Sequence, residues 1–172
     1  QATTGTRSRW LTQLGGGDVV YGDRAEPDRR LLTFTSAPFS EDVEITGHPS
    51  VTLHVTSTAR DGAFFVYLQD VDASGKVTYL SEGLLRALHR KVGPTGRPTY
   101  RKGDAAPLEP GRVATLTFDI LPTSVLVRRG HRLRIAISGA DRDTFAPIPP
   151  NEAPTVTIAR SQSRASTNTS SE

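Results

Sequence analysis

The sequence predicts an all-β domain, a jelly-roll sandwich of about eight antiparallel strands. Three observations predict it: short apolar runs, alternation of apolar and polar residues within several of them, and Pro or Gly at nearly every junction. No long stretch shows the 3.6-residue spacing of an amphipathic helix. A chain of 172 residues suffices for one such domain with a single core.

The predicted strands follow one another along most of the chain. In the third run Val51, Leu53 and Val55 alternate with polar residues, which is typical of a half-buried strand. The fourth run is apolar at both parities, as expected of a central strand. The residues 72–75, Asp-Ala-Ser-Gly, predict a tight turn and therefore a hairpin between the fourth and fifth runs. The eight runs are 31–36, 43–46, 51–58, 64–71, 77–88, 113–121, 132–137 and 155–159.

The two ends of the chain differ from this pattern. Residues 1–30 are rich in Gly, Thr and Arg and are predicted to be a connector from a domain outside this sequence. Residues 31–160 form the predicted sandwich, and 161–172, with no apolar side chain larger than Ala, form a predicted disordered tail. Five large apolar residues of the connector are the candidate inter-domain contacts: Trp10, Leu11, Val19, Val20 and Tyr21.

Composition narrows the function classes. The chain begins with Gln1 and contains no Met, so we expect a processed or excised piece of a longer protein. No apolar run approaches the roughly 18 residues of a membrane span, and no membrane partner is expected. The absence of Cys excludes disulfides and thiolate sites but leaves the compartment undetermined.

The net charge of +3 is too small to indicate a phosphate-binding surface. One local basic cluster lies among Gly and Pro, and Tyr100 alone is not an aromatic platform for bases, so the cluster is predicted to be an exposed charged loop rather than a nucleic-acid site. The cluster consists of Arg90, Lys91, Arg97, Arg101 and Lys102.

Catalytic motifs are missing. The Gly-x-Ser-x-Gly turn of a serine hydrolase is absent, and Ser138 in Ile-Ser-Gly is predicted to be a strand-end serine. The histidines His48, His54, His89 and His131 have no metal-ligand spacing and are predicted to be structural. No catalytic residue, metal site or cofactor is therefore predicted in this chain.

One segment resembles the start of a calcium loop. It runs Asp70-x-Asp72-x-Ser74-Gly75, but its twelfth position, which should supply a bidentate Glu, is Ser81. Its flanks are predicted strands rather than helices. The prediction is a hairpin turn.

Eight segments in order resemble the C-terminal domain of X-Pro dipeptidyl-peptidases and cocaine-esterase-like (CocE/NonD) serine hydrolases, over about residues 20–145. They are YGDR (21–24), LLTFTSAP (31–38), EDVEITG (41–47), DGAFFVYLQDV (61–71), EGLLRA (82–87), PLEPG (107–111), DILPTS (119–124) and GHRLRIAISGAD (130–141). The resemblance implies a galactose-binding-like jelly roll that packs on an α/β-hydrolase domain carrying the Ser-Asp-His triad. None of the triad positions falls in this sequence.

The leading hypothesis is therefore a non-catalytic accessory domain of an esterase or X-Pro peptidase. It would pack on the hydrolase domain and contribute to the wall of the substrate pocket or to an oligomer surface, and Asp23 and Arg24 would form a surface pair. A free-standing carbohydrate-binding module is the alternative, although its usual exposed aromatic rings are scarce here. A stand-alone structural or adhesion domain is a third hypothesis.

Overall fold

The structure is a computed structural model that describes residues 22–141, 145–151 and 153–159. Three short 3₁₀ helices, Pro27–Arg30, Ala87–His89 and Lys102–Asp104, interrupt the strands. None of the helices in the described ranges has the length and apolar composition of a membrane span. The described strands are β1 (Leu32–Thr35), β2 (Val43–Gly47), β3 (Ser50–Ser57), β4 (Ala63–Val71), β5 (Val77–Arg86), β6 (Ala114–Asp119), β7 (Thr123–Val127), β8 (Arg132–Ser138) and β9 (Val156–Ile158).

The strands form three antiparallel sheets. One has the order β1-β8-β4-β5, a second β6-β3-β9, and β2 pairs with β7 alone. The predicted all-β sandwich is confirmed. The galactose-binding-like assignment stays a prediction.

Strand β7 was missing from the predicted set. Only its Val125, Leu126 and Val127 are apolar, and it follows Pro122 closely. Its partner β2 lies about 80 positions earlier, as in the Thr46–Ser124 pair. So short a run is defined by pairing across the fold, which local alternation does not reveal.

The main core lies between the four-stranded and three-stranded sheets. Alternation along β3 turns Leu53 and Val55 inward and leaves Thr52 and His54 outside. Full burial of each large apolar side chain contributes roughly 1.5–3 kcal/mol. The central members of this core are Leu53, Val55, Phe64, Val66, Leu68, Leu85, Leu116, Phe118, Ile120 and Ile137.

The predicted β4–β5 hairpin is confirmed. Asp72 Oδ1 accepts hydrogen bonds from the Ser74 hydroxyl at 2.6 Å, the Ser74 N–H at 2.8 Å and the Lys76 N–H at 3.0 Å. Gly75 has φ +89°, a backbone conformation that favours glycine. The acidic residue that suggested a calcium ligand is used to close the turn.

One side of the sandwich is closed where β5 meets the chain that follows β6. The Leu121 N–H donates to Glu82 O at 2.9 Å, and the Ser81 hydroxyl donates to Leu121 O at 2.8 Å. Gly83 follows Glu82 on β5, and a Cβ placed on it would stand 2.5 Å from the Asp119 carbonyl oxygen. The absence of a side chain at Gly83 therefore lets the two sheets approach.

We expect Gly83→Ala to lower the free energy of unfolding by about 2–3 kcal/mol, because the clashing atom belongs to backbone and cannot turn away. Gly103→Ala is the matched control, since a Cβ there meets nothing within 4 Å. Denaturant unfolding of both variants measures the difference. Equal stability of the two would contradict the close approach at Gly83.

Candidate functional site

A polypeptide strap crosses the outer face of the four-stranded sheet. It begins at the start of β5, where Asp23 Oδ1 accepts the Val77 N–H at 2.9 Å and the Arg24 N–H donates to Val77 O at 2.9 Å. It ends at Leu31, which leads into β1 at the opposite edge of the same sheet. Part of the predicted connector thus packs on the sandwich.

The strap buries an ion pair. Arg24 Nη2 donates to Asp28 Oδ1 at 3.3 Å, and both side chains are buried. The guanidinium carbon of Arg24 lies 6.0 Å from the ring centroid of Tyr67, within the range of a cation–π contact. The prediction of an Asp23–Arg24 surface pair was wrong: Arg24 turns inward to Asp28, and Asp23 accepts two backbone N–H groups instead.

Tyr67 is the centre of the polar layer beneath the strap. Its hydroxyl donates to Asp141 Oδ2 at 3.0 Å, and Glu82 lies opposite it on β5. Burial, followed by the negative charges of Asp141 and Glu82, raises the pKa of Tyr67 far above its ordinary value. The raised pKa favours the protonated hydroxyl, which donates to Asp141.

This polar layer was not among the sequence candidates. Gln69 is fully buried in it, and its amide has no hydrogen-bond partner among the described residues. One feature of the sequence does indicate that the outer face is covered. Strand β4 is apolar at both parities, which is typical of a strand buried on both faces. Which polar groups lie over Tyr67 and Gln69 depended on the path of the strap.

Ser138, His54 and His131 make hydrogen bonds or close polar contacts within the domain. The Ser138 hydroxyl donates to Ala140 O at 2.6 Å and accepts the Ala140 N–H at 3.2 Å. His54 Nδ1 lies 3.1 Å from the Thr115 hydroxyl, and His131 Nδ1 lies 2.8 Å from Asp70 Oδ2. In the described part of the chain no serine hydroxyl hydrogen-bonds a histidine ring, so no nucleophile–base pair is assembled there.

The suspected calcium ligands do not converge. Asp70 faces His131 and Asp72 closes the hairpin turn. Within the described ranges, no group of three or more His, Asp or Glu side chains is arranged to hold a metal ion.

The basic cluster is held by its own loop. Lys91 pairs with Asp104, Arg97 Nε lies 2.6 Å from Asp119 Oδ2, and Arg90 donates to the carbonyl oxygens of Ala106 and Pro107. These bonds fix the segment between β5 and β6. Because Lys91 and Arg97 are paired with carboxylates, less positive charge is left to attract a polyanion.

The five candidate inter-domain contacts, Trp10, Leu11, Val19, Val20 and Tyr21, lie outside the described residues. A cleft of about 320 Å³ opens at the end of the sandwich where β8 ends and β1 begins. Its lining includes Leu31, Phe64, Ile137 and Pro149, and Arg30 also contributes to it.

Comparison with known proteins identifies the family. The model of the X-Pro dipeptidyl-peptidase C-terminal non-catalytic domain matches residues 4–171. The chain belongs to this family.

The relatives of this X-Pro dipeptidyl-peptidase C-terminal domain are much longer proteins. A Mycobacterium bovis protein named as a serine esterase is 55% identical over 175 residues, which cover 96% of this chain and 28% of the relative. Cocaine esterase of Rhodococcus sp. is 28% identical over 135 residues, covering 73% of this chain and 22% of the esterase. The chain thus spans less than a third of the relatives it matches.

Solved structures share the fold. A CocE/NonD family hydrolase from Staphylococcus aureus matches with a TM-score of 0.59 at 20% identity, covering 70% of this chain and 24% of the hydrolase. An aminopeptidase from a marine sediment Thaumarchaeota archaeon matches with a TM-score of 0.63 at 21% identity, covering 81% and 25%. In both, this domain type occupies about a quarter of a hydrolytic enzyme chain.

Four aspartates of the domain hold loops together. Hydrogen bonds from the backbone of Val77 lower the pKa of Asp23, and those from the backbone of Arg129 lower the pKa of Asp42. The Ser74 hydroxyl lowers the pKa of Asp72, and the Lys91 ammonium lowers that of Asp104. All four carboxylates are therefore bound more favourably in the folded state than in the unfolded state.

We expect acid to destabilise the domain through these groups. Because their folded pKa values are depressed, their contribution is complete above the unfolded value of about 3.9 and is lost as pH falls through the lower folded values. The thermal unfolding midpoint, measured from pH 6 to pH 2.5, should fall mainly below pH 4. Asp23→Asn should lower the midpoint at pH 6 and make the fall shallower.

Glu41→Gln is the control for this experiment, since Glu41 is exposed and hydrogen-bonds no described residue. It should leave the profile unchanged. A profile of Asp23→Asn that is parallel to the wild type would contradict the linkage.

Proposed function

We propose that this domain packs on an α/β-hydrolase domain of the same parent chain, fixes its orientation and forms part of the wall of its substrate pocket. The observation that carries the proposal is the size of the match: at 55% identity the chain accounts for only 28% of proteins named as serine esterases. Several polar groups of the described residues, among them Arg24, Asp28, Asp72 and Asp104, hold loops and the strap in place. The chemistry therefore belongs to another part of the parent protein.

An ester is the favoured substrate class of the parent enzyme. The relatives at 55% identity are named as serine esterases, whereas the Streptomyces avermitilis relative named as an Xaa-Pro dipeptidyl-peptidase is 36% identical over 110 residues. Cocaine esterase is a further relative that is named for ester hydrolysis. A homo-oligomer surface remains part of the proposal for the domain.

The carbohydrate-binding alternative is not favoured. Sugar sites commonly stack rings on exposed Trp or Tyr. Among the described aromatic residues, only Tyr100 exposes more than half of its surface, and its ring packs 5.8 Å from that of His89. A single ring in a loop offers no platform for a sugar chain.

We predict that the isolated chain hydrolyses neither p-nitrophenyl acetate nor an Ala-Pro arylamide, because it lacks the catalytic groups. The full-length parent protein, assayed in parallel, should release p-nitrophenol from p-nitrophenyl acetate well above the rate of uncatalysed hydrolysis. A β-type circular dichroism spectrum verifies that the isolated chain is folded. Hydrolysis of either substrate by an activity that copurifies with the isolated chain through successive columns would contradict the proposal.

We propose that Trp10, Leu11, Val19, Val20 and Tyr21 contribute to the contact with the hydrolase domain. In the full-length parent, Trp10→Ala should lower the thermal inactivation midpoint by several degrees, because removal of a buried Trp costs about 3–5 kcal/mol. Gln13→Ala, a polar neighbour in the same segment, should leave it unchanged. Equal midpoints for both variants would exclude Trp10 from the interface.

A further inference from the structure

The two sides of the sandwich differ. On one side, the Leu121–Glu82 hydrogen bond and the close approach at Gly83 join β5 to the chain after β6. On the other side, β1 and β9 end their sheets with only four and three residues. Within the described ranges β1 pairs with β8 alone and β9 with β3 alone, so each strand presents an unpaired edge.

Apolar side chains are uncovered along this second side. Leu32 lies opposite Ile137 and Phe34 opposite Ile135, so both point toward the interior of the sandwich. Nevertheless 44% of Leu32 and 36% of Phe34 remain exposed, as does 36% of Val156 on β9. We call Leu32, Phe34 and Val156 the open seam. Inward-facing residues that stay half exposed indicate a core that the described residues leave unfinished.

The cleft of about 320 Å³ continues the seam toward the interior. Its lining combines Leu31 before β1, Phe64 and Ile137 from the core, and Val156 from β9. An apolar side chain of a partner that covers the seam would also enter the cleft. Each Å² of apolar surface buried in this way contributes about 25 cal/mol of free energy. A gap of this size suits one or two large side chains rather than a whole strand.

One cation adjoins the cleft. Arg30 contributes to the cleft lining and forms no salt bridge with a described residue. Arg132 and Arg134 alternate with Leu133 and Ile135 along β8, so their side chains lie on the outer face of the sheet, away from the seam. A partner surface that carries one Asp or Glu beside an apolar group would complement Arg30.

We propose that the open seam docks an apolar segment from the catalytic part of the parent hydrolase, with an acidic side chain beside Arg30. The inference rests on the proposed function and adds the place of contact. The occupant is argued from length and composition: relatives at 55% identity carry most of their chain outside this domain, while residues 161–172 have no apolar side chain larger than Ala with which to cover the seam.

Photocrosslinking in the full-length parent protein tests the seam. A photoreactive benzoyl-phenylalanine replaces Phe34 in one variant and Leu126 in the control. Leu126 is 49% exposed and lies on β7, in a different sheet. We expect position 34 to crosslink to a peptide of the catalytic part that contains apolar and acidic residues, and position 126 to give no such product.

The outcomes separate the two proposals. Crosslinks to the catalytic part from position 126 but not from 34 would overturn the seam and leave inter-domain packing intact. A crosslink from position 34 to a second copy of the chain, seen as a covalent dimer, would also overturn the seam. The absence of any crosslink from position 34 would likewise overturn it, and packing is then judged by the Trp10→Ala experiment alone.

Substitution provides a second readout. Leu32→Glu in the full-length parent should lower the thermal inactivation midpoint by roughly 3 °C or more, because docking would place a carboxylate among the apolar groups of the interface. Leu126→Glu should shift it by less than about 1 °C. Equal shifts would contradict docking at the seam.

Discussion

The need to cover both faces of β4 governs the rest of the structure. Phe64, Val66 and Leu68 fill the core between the sheets, and the intervening Phe65, Tyr67 and Gln69 are buried on the opposite face. A strand that is apolar at both parities cannot leave one face in water without exposing several large side chains. The strap from Gly22 to Leu31 meets this need, and Phe145 adds a ring 5.2 Å from that of Phe65.

Covering the outer face brings polar groups inside, and this explains why so little chemistry is available. Arg24 and Asp28 neutralise each other under the strap, and the Tyr67 hydroxyl is fixed on Asp141. A buried charge is tolerated only when it is paired and hydrogen-bonded. The polar residues that could have suggested a site in this part of the chain are accordingly structural.

The sandwich is closed on one side and open on the other, and this asymmetry connects fold to function. At the closed side a glycine lets two sheets approach within backbone contact, so little could bind there. At the open side apolar residues, a cleft and the Arg30 side chain adjoin one another. This open side is therefore the surface that we propose for the contact with the remainder of a larger hydrolase.

The sequence by itself determined the all-β class, the β4–β5 hairpin and the absence of a serine-hydrolase elbow, because alternation, turn residues and catalytic motifs are local signals. Eight ordered segments of the sequence also indicated the family. Only the tertiary structure decided that β7 is a strand, that Arg24 pairs with Asp28 rather than Asp23, and that Leu32 and Phe34 stay half exposed. Each of these depends on what lies opposite a residue across the fold, and contacts between distant segments leave no periodic trace in the chain.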